Sequence, residues 1–521
     1  MRIKITALAI VCGLGLATAC SAGGHTSGIS DTFVQATNVN IVTGWDPATA
    51  YSNEVVALQN IYESLTRYNP STQKVEPSLA TEWTKSTDGT IWTFHLRDGV
   101  KFHNGTPLDS SAAKAAIERT IALGGGPAYI WDAVDSIEAP SPSEVVFRLK
   151  QPAAIDLIAS SSTGAYIYDV TASGNADLGA WFEEGRDSGT GPYTVKSWNP
   201  GREKELTLVK FGDYWNGWEG RRYQSIEFRV TPEVTTAWQL LQSGDVDFVE
   251  RLTPEIFQQA RSTTGIQTSE TSSFQNLIAL FNTADGPMAD VRVRKAIRFA
   301  IDTTGLAAAL RGAVAPANGI VPHGLLGAGE EAPTAQDLTE ARALLSEAGF
   351  DGTNPLRLSL TYAQGNSDQQ IFVTLLQSSL AQLGAELRAT PMQWSAQWDQ
   401  AKNGKRQDIF LMDWFPDYAD GYTWFANLFH STDEPYFNLS YLDDKQVDTQ
   451  IDLLPAQTAT DPEMVKETYR SLQQELLEEK TVAVPLYVQN FQRAYASSVR
   501  GYVDNPAYSN VVFVHDLTRS E

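Results

Sequence analysis

The sequence predicts an α/β protein of two or three domains. Residues 226–230, 235–242 and 246–249 have the patterns of a strand, a helix and a strand in immediate succession. Such a unit favours a sheet whose strands are joined by a helical crossover. The chain has 521 residues, and a single hydrophobic core rarely grows beyond about 300 residues. We therefore expect more than one domain.

The first 150 residues predict several strands and two helices. Apolar residues alternate with polar ones in half-buried strands, and they recur every three or four residues in helices. On this basis we predict strands at 33–36, 91–97, 100–102 and 144–149, and helices at 53–65 and 110–123. Asp98 and Gly99 supply the turn of a hairpin between the second and third of these strands. Gly124 ends the second helix, because glycine readily adopts the left-handed backbone that closes helices.

The remainder of the chain changes from strands to helices. Strands at 193–198 and 204–209 flank the turn Asn199-Pro200-Gly201 and precede the crossover unit. Beyond that unit we predict helices at 291–301, 337–347, 368–383 and 461–479, and strands at 356–360 and 409–412. No period of about 20 to 50 residues recurs, which argues against a solenoid or a propeller.

Composition excludes several classes of protein. The chain carries 62 acidic and 39 basic side chains, a formal net charge of −23. This charge argues against a nucleic-acid partner, whose binding needs clustered Lys and Arg. The two cysteines, Cys12 and Cys20, both lie in the first 20 residues. The rest of the chain therefore has no disulfide, Cys-containing zinc site or cysteine nucleophile.

The first 20 residues resemble a bacterial lipoprotein signal. Arg2 and Lys4 precede an apolar run at 5–17, which is too short to cross a bilayer as a stable helix. The run leads into Leu-Ala-Thr-Ala-Cys, which ends at Cys20 and resembles a lipobox. The resemblance implies cleavage before Cys20 and acylation of its thiol, with an ordinary signal peptide as the alternative. The implied segments are a signal peptide at 1–19 and a lipidated tether at 20–30.

Signatures of catalysis and of cofactor binding are absent from the sequence. There is no GxxxxGK[ST], HExxH or GxSxG motif, and the six histidines are too scattered for a metal site. Gly189-Thr190-Gly191-Pro192 is glycine-rich, but Pro192 removes a backbone donor, so we predict a turn that enters a strand. We expect no cofactor, no metal and no enzymatic activity. A secreted hydrolase is the remote alternative.

Several motifs follow one another in the order typical of one protein family. They are Tyr62-Glu63-Ser64-Leu65 and the segments at 76–83, 88–107, 189–193, 213–215, 290–302, 341–349 and 484–487. This ordered set covers about residues 45 to 505 and resembles the family 5 extracellular solute-binding proteins. That family includes the peptide-, dipeptide- and nickel-binding subunits of ABC importers. The sequence departs from the family pattern after Pro107, in a segment that we expect to be scaffold.

The resemblance implies a type II periplasmic-binding-protein fold. This fold has two lobes, an inserted subdomain in lobe one and two crossover hinge segments, here near 272–280 and 485–487. The implied boundaries are 31–48, 189–277 and 486–521 for lobe one, 49–188 for its inserted subdomain, and 278–485 for lobe two. A ligand held between the lobes would stabilise the closed form.

The segment after the predicted strand at 409–412 is the main candidate for ligand contact. Strand ends are where α/β folds place ligand crevices. The acidic and aromatic residues of this segment are Asp413, Trp414, Phe415, Asp417, Tyr418 and Trp424. In peptide-binding members of the family, a Trp-x-x-Asp-Tyr arrangement supplies the carboxylate that pairs with the ammonium of the peptide. The resemblance implies this role for Asp417. The alternative is that Asp417 caps a turn and that the aromatic residues belong to the core.

Three further tryptophans are candidates for the same site. Trp45 lies in the loop that leads into the helix at 53–65. Trp394 and Trp398 are four residues apart and therefore share one face if their segment is helical. They line a pocket for ligand side chains or, equally, pack in the core.

The implied function is that of a substrate-binding lipoprotein of an ABC importer that captures short peptides. An extended peptide would pair with strand edges at 40–45 and 413–415. The implied partners are the permease subunits and their ATPases. We expect a monomer outside the cytoplasm, held at the membrane by its lipid anchor alone. Alternative ligands within the same fold are nickel complexes, opines and oligosaccharides, and a sugar would favour stacking on Trp414, Trp424 and Trp394.

Overall fold

The computed structural model describes residues 31–38, 41–42, 44–329, 333–403 and 406–520. The predicted signal peptide, the lipidation site Cys20 and the tether therefore lie outside the described residues. So does part of the predicted strand edge at 40–45. Across the described ranges, no helix is both long enough and apolar enough to span a bilayer.

Most strands belong to one large mixed sheet. The strands are β1 (Thr32–Thr37), β2 (Thr66–Asn69), β3 (Lys74–Pro77), β4 (Ala80–Lys85), β5 (Ile91–Leu96), β6 (Val134–Ser141), β7 (Glu144–Leu149), β8 (Tyr193–Trp198), β9 (Lys204–Lys210), β10 (Ser225–Val230), β11 (Phe248–Val249), β12 (Ile266–Phe281), β13 (Val314–Pro316), β14 (Arg357–Ala363), β15 (Glu386–Met392), β16 (Ile409–Trp414), β17 (Ala483–Ala496), β18 (Val499–Arg500) and β19 (Thr518–Arg519). The large sheet has the order β15-β14-β16-β12-β17-β11-β1-β10-β9-β8, and β13 pairs with β17. A four-stranded sheet has the order β4-β5-β7-β6.

Helices cover the faces of these sheets. They are α1 (Val55–Ile61), α2 (Ser110–Leu123), α3 (Ile155–Ile158), α4 (Leu178–Glu183), α5 (Val234–Ser243), α6 (Pro254–Arg261), α7 (Val291–Ala300), α8 (Thr303–Ala309), α9 (Leu338–Glu347), α10 (Ser367–Gln382), α11 (Trp394–Lys402), α12 (Tyr422–Leu428), α13 (Lys445–Thr460) and α14 (Pro462–Gln474). A 3₁₀ turn, Gly126–Trp131, follows α2.

The predicted strand-helix-strand crossover is confirmed. β1 lies between β10 and β11 and runs parallel to both of them. Helix α5 connects β10 to β11 and ends at Gly244, which adopts the left-handed conformation. The carboxyl ends of these parallel strands consequently meet at one edge of the sheet, where ligand crevices form in α/β folds.

Two long antiparallel strands, β12 and β17, run through the middle of the large sheet. Their pairing extends from Ile266 opposite Ala496 to Leu280 opposite Ala483, with register shifts between Ser272 and Asn276 and between Leu277 and Ile278. One end of the pair borders β11, and the other borders β16. β12 and β17 therefore connect the two halves of the large sheet.

Alternation along β16 and β12 separates two hydrophobic cores. Ile278, Leu280 and Met412 belong to one cluster, whereas Leu277 and Leu411 belong to another. Successive side chains of a strand point to opposite faces. Trp414 consequently shares the first face with Met412, and Asp413 shares the second face with Leu411.

The predicted hairpin between 91–97 and 100–102 is wrong. β5 pairs instead with β4 and β7. Gly99 does adopt the left-handed conformation, with φ of 75°. After it, residues 101–107 form a local turn instead of a second hairpin strand. The backbone N–H of Phe102 donates to the carbonyl of Thr106 at 2.8 Å. This local bond takes a donor that the hairpin ladder would have used.

Close packing explains the glycine motif before β8. A Cβ on Gly189 would collide with the carbonyl oxygen of Ile61, which already accepts from the N–H of Gly191 at 2.9 Å. We expect Gly189→Ala to lower the free energy of unfolding by about 1–3 kcal/mol, because overpacking forces the backbone to shift. Gly212→Ala is the control, since open space surrounds Gly212. Equal losses in urea titrations of the two variants would contradict the packing argument.

Candidate functional site

The end of β16 positions the acidic and aromatic segment identified in the sequence. β16 is buried along most of its length and ends at Trp414. The chain then leaves the sheet at Phe415 and Pro416, and Pro416 has no N–H to continue a ladder. Asp417 follows in the loop that leads to α12. The predicted strand-end placement of Asp417 is therefore present in the structure.

Asp417 is a buried carboxyl surrounded by phenols. Its side chain is only 2% exposed. The hydroxyl of Tyr129, in the 3₁₀ turn, donates to Oδ2 of Asp417, and Tyr51 donates a second hydrogen bond. The amide of Asn427 donates to the Tyr129 oxygen at 3.2 Å. These partners orient the carboxyl without neutralising its charge.

The backbone of Asp417 is also held by a distant part of the chain. Its carbonyl oxygen accepts from Oγ of Ser161 at 2.7 Å and from the N–H of Ser162 at 3.1 Å. The carboxyl and the carbonyl of one residue thus both contact the segment between residues 51 and 162. Asp417 lies at the junction of two parts of the chain that are remote in sequence.

The electrostatics of Asp417 suit a cationic ligand. Burial raises the pKa of its carboxyl to about 7, and the hydrogen bond from Tyr51 opposes that rise. Within the described ranges, no Lys, Arg or His contributes to the pKa of Asp417. A buried carboxylate is costly unless a cation pairs with it. An ammonium group placed here would provide that pairing.

Asp413 lies apart from Asp417. Its side chain points to the opposite face of the sheet, where Nε2 of Gln369 donates to Oδ2 at 3.0 Å. Burial raises the pKa of Asp413 to about 6, and nearby Arg251 opposes the rise. Arg251 lies 3.9 Å from Asp368 at the start of α10. Asp413 and Asp417 therefore lie in different surroundings, although both belong to the same predicted segment.

Three of the predicted aromatic site residues are core residues. Trp45 is fully buried, with its ring edge-on to Trp198 at 5.6 Å. Trp424 is also fully buried, and its Nε1 donates to Oδ1 of Asn276 at 3.0 Å. Tyr418 is buried in the same cluster as Trp45. The structure thus places these side chains as the core alternative predicts.

Four aromatic residues form a cluster that includes Trp414 at the end of β16. Trp394 and Trp398 lie on α11, so the predicted helical face is confirmed. The Trp398 ring lies 4.8 Å from that of Tyr436 and 5.6 Å from that of Phe437. Trp414 packs edge-on to Phe437 at 5.0 Å. The four clustered side chains are Trp398, Trp414, Tyr436 and Phe437. The Trp394 ring instead packs edge-on to Phe410 at 6.0 Å, and Phe415 is exposed in the loop after β16.

The sequence analysis missed Tyr51, Tyr129 and Tyr436 as site residues. Tyr129 and Asp417 are 288 residues apart, and no local pattern connects residues at that separation. The only signal in the sequence that could have indicated Tyr51 and Tyr129 was their position near predicted turns. Tyr51 lies shortly after the loop that holds Trp45, and Tyr129 follows the Gly124-Gly125-Gly126 break, both in segments where backbone turns expose side chains.

A cavity of about 990 Å³ lies beside α14. Its lining includes Tyr68, Leu157, Leu326, Ala419, Gln473 and Leu477. Ala419 is two residues from Asp417, but Asp417 does not line this cavity. The hydroxyl of Tyr469, on α14, donates to the carboxyl of Asp420.

A match to a family model identifies the class of protein to which this chain belongs. Residues 74–436 match the family model described as bacterial extracellular solute-binding proteins, family 5. That match covers more than half of the chain. The chain belongs to this family.

Relatives along nearly the whole chain agree with this assignment. The probable D,D-dipeptide-binding periplasmic protein DdpA of Escherichia coli is 27% identical over 487 residues, which cover 91% of this chain and 92% of the relative. The glutathione-binding protein GsiB of Salmonella typhimurium is 28% identical over 448 residues, which cover 82% and 83%.

Solved structures confirm the predicted type II periplasmic-binding-protein fold. DppA of Helicobacter pylori in complex with the peptide STSA matches with a TM-score of 0.80 at 22% identity, covering 94% of this chain and 98% of that one. NikA of Brucella suis in complex with Fe(III)-EDTA matches with a TM-score of 0.82 at 22% identity, covering 94% and 100%. These likenesses concern the fold alone.

Proposed function

We propose that this protein captures short peptides by their amino-terminal ammonium at Asp417 and delivers them to the permease of an ABC importer. The observation that carries the proposal is the environment of Asp417. The carboxyl is 2% exposed, it accepts from phenols, and no basic side chain of the described residues acts on it. A ligand ammonium would supply the missing counter-charge and form charge-assisted hydrogen bonds.

The ligands named for several relatives have one chemical feature in common. The D,D-dipeptides of DdpA, the glutathione of GsiB and the STSA peptide of DppA are peptides with a primary ammonium group. This shared feature favours a peptide over an oligosaccharide, which has no ammonium to offer Asp417. Nickel complexes and opines remain the competing ligands, and the binding experiment below includes them.

Capture would couple to closure of two lobes. The proposed boundaries are lobe one at 31–48, 189–277 and 486–521, its inserted subdomain at 49–188, and lobe two at 278–485. The register shifts of β12 and β17 near Ser272 support a hinge at that point, because irregular pairing yields more easily than a regular ladder. A ligand that contacts Asp417 and the tyrosines opposite it touches both sides and shifts the population toward the closed form.

The proposed cellular arrangement follows from the N-terminal segment. Acylation of Cys20 would hold a monomeric protein at the outer face of the membrane, since several acyl chains anchor a protein without a spanning helix. The closed form would then dock on permease subunits that are driven by their ATPases. In this scheme the protein acts by binding, and it makes and breaks no bond in its ligand.

Affinity for a peptide is expected to fall on acidification. With a pKa of about 7 in the free protein, the Asp417 carboxyl is half ionised at pH 7 and about 1% ionised at pH 5. The peptide amine stays protonated over this range, so the dissociation constant should rise about 50-fold between pH 7 and pH 5. Tyr51 does not titrate there, because burial and the Asp417 charge raise its pKa well above the usual value. Calorimetry at both pH values checks this, and an equal change in Asp417→Asn would contradict it.

Calorimetric titration of the ligand-free protein tests the proposed function. The titrants are a tripeptide, its N-acetylated form, a nickel-histidine complex, an opine and an oligosaccharide. We expect the free tripeptide to bind and its acetylated form to bind much more weakly. Equal affinity for both peptides would contradict ammonium capture. Binding only of the nickel complex, the opine or the sugar would replace the peptide as ligand.

A further inference from the structure

A tight turn of the proposed inserted subdomain packs against a helix of proposed lobe two. The turn runs from Ser86 to Gly89, between β4 and β5, and Gly89 is buried. A Cβ on Gly89 would lie 3.3 Å from Cγ2 of Thr460 and 3.7 Å from Cβ of Ala459. Both of these residues belong to the last turn of α13. The contact therefore joins two parts of the chain that are remote in sequence.

Hydrogen bonds inside the turn fix its shape. The N–H of Gly89 donates to the carbonyl of Ser86 at 2.9 Å. Oδ1 of Asp88 accepts from the N–H of Thr90 at 3.2 Å and from the Thr90 hydroxyl at 2.9 Å. Gly89 has φ of 70°, a conformation that glycine adopts without steric cost. The turn therefore presents a preformed surface to the end of α13.

Lys85 adds a polar contact beside this packing. It is the last residue of β4, and its ammonium donates to the carbonyl oxygen of Ala459. The ammonium also lies 5.6 Å from the ring centre of Trp92. Carbonyls in the last turn of a helix lack intrahelical donors and carry the negative end of the helix dipole. A cation at the end of α13 is therefore stabilising.

Two separate contacts thus join the inserted subdomain to lobe two. One is at Asp417, whose carbonyl accepts from Ser161 and Ser162, and this is where we propose that the ligand binds. The other is the contact of Lys85 and the turn at 86–89 with α13, and it contains none of the candidate ligand-contacting residues. A contact of this second kind changes the balance between open and closed forms without touching the ligand.

Resting on the proposed capture of ligand between two closing lobes, we propose that Lys85 and the turn at 86–89 form a closure clamp with the C-terminal end of α13. The closure clamp forms when the lobes close and separates when they open. It stabilises the closed form whichever ligand is bound. It therefore changes the affinity for all ligands by one common factor and leaves selectivity to the residues around Asp417. Lys85 is a positioning residue in this scheme.

A disulfide across the closure clamp tests whether its two sides move apart. Gly89→Cys/Ala459→Cys places two cysteines at a Cβ separation of 3.7 Å, which suits a disulfide. Cys12→Ser and Cys20→Ser remove the natural thiols. We expect oxidation of the ligand-free protein to form the bond and to slow the association of Ala-Ala-Ala about tenfold or more, because the lobes can no longer open. Dithiothreitol should restore the rate, which stopped-flow fluorescence measures.

Lys85→Met tests the polar contact without a new covalent bond. We expect the dissociation constants of Ala-Ala-Ala and Phe-Ala-Ala to rise by the same factor, about two- to fivefold, the usual effect of a charge at a helix end. Lys101→Met is the control, because Lys101 pairs with Asp213 and both lie on the lobe-one side. It should leave both constants unchanged in the same calorimetric titrations.

The outcomes separate the closure clamp from peptide capture. Failure of the cysteines to cross-link, or equal association rates in the oxidised and reduced forms, would overturn the closure clamp and leave ammonium capture intact. No loss in Lys85→Met, or a loss that differs between the two peptides, would also overturn it.

Failure of both peptides to bind the unmodified protein would contradict the proposed function instead. Small-angle X-ray scattering then tests the closure clamp without a ligand. Oxidation should lower the radius of gyration of ligand-free Gly89→Cys/Ala459→Cys, because the disulfide holds the lobes together. An unchanged radius would overturn the closure clamp.

Discussion

Asp417→Asn is expected to weaken binding of a free-amino tripeptide by about 2–5 kcal/mol, or roughly 30- to 5,000-fold. Asparagine has nearly the same shape as aspartate, so it keeps the packing and can still accept from Tyr129. It lacks the charge that the ligand ammonium requires. Much of the loss arises because the ammonium would then be buried without a counter-charge. Calorimetry with the purified variant measures the change directly.

Two controls isolate the charge of Asp417 from other effects of the substitution. Asp433→Asn makes the same chemical change at an exposed carboxyl in the loop before Tyr436, and it should change the affinity less than about twofold. The N-acetylated tripeptide should bind Asp417→Asn and the unmodified protein with similar, weak affinity. A loss in Asp417→Asn that is equally large for the acetylated peptide would show that the substitution acts by distorting the site.

Arg493→Met is expected to lower the free energy of unfolding by about 3–5 kcal/mol. Arg493 is buried on β17, where its Nε lies 3.3 Å from Oδ2 of the buried Asp504. Its Nη1 donates to the carbonyl of Glu250. Methionine fills much of the same volume but leaves Asp504 buried without its cation, the costly half of a broken ion pair. Chemical denaturation measures the loss.

A matched exposed pair serves as the control for Arg493. Arg261 pairs with Glu270, and both side chains are well exposed. Arg261→Met should cost no more than about 1 kcal/mol, because solvent screens exposed ion pairs. The double variant Arg493→Met/Asp504→Asn should recover part of the loss by removing the unpaired charge. Equal losses in Arg493→Met and Arg261→Met would contradict the argument from burial.

Elements with local end signals were predictable from sequence. Helix α2 begins and ends as predicted because Asp109 caps it, accepting from the N–H of Ala112, and Gly124 closes it in the left-handed conformation. The long strand β12 was not predicted as a strand, and only a hinge segment near 272–280 was expected there. Its first half has the polar sequence Thr268 to Ser273, which has no alternation, and its place in the sheet comes from pairing with β17. Such pairing is a long-range property that no local pattern encodes.

The candidate site was predictable only in part, for a similar reason. A motif match pointed to Asp417, and strand-end logic placed it at the edge of the sheet. The hydroxyl partners come from residues hundreds of positions away and became visible only in three dimensions. The sequence also did not show that Trp424 packs in the core whereas Phe415 is exposed. Both lie in the same aromatic-rich segment, and burial depends on what packs over each ring.

The most direct test of peptide capture is a crystal structure of the protein with a bound free-amino tripeptide. The account predicts that the peptide nitrogen lies about 2.8 Å from a carboxylate oxygen of Asp417, the usual length of a charge-assisted hydrogen bond. A peptide bound with its amino terminus elsewhere, for example in the cavity beside α14, would contradict the account.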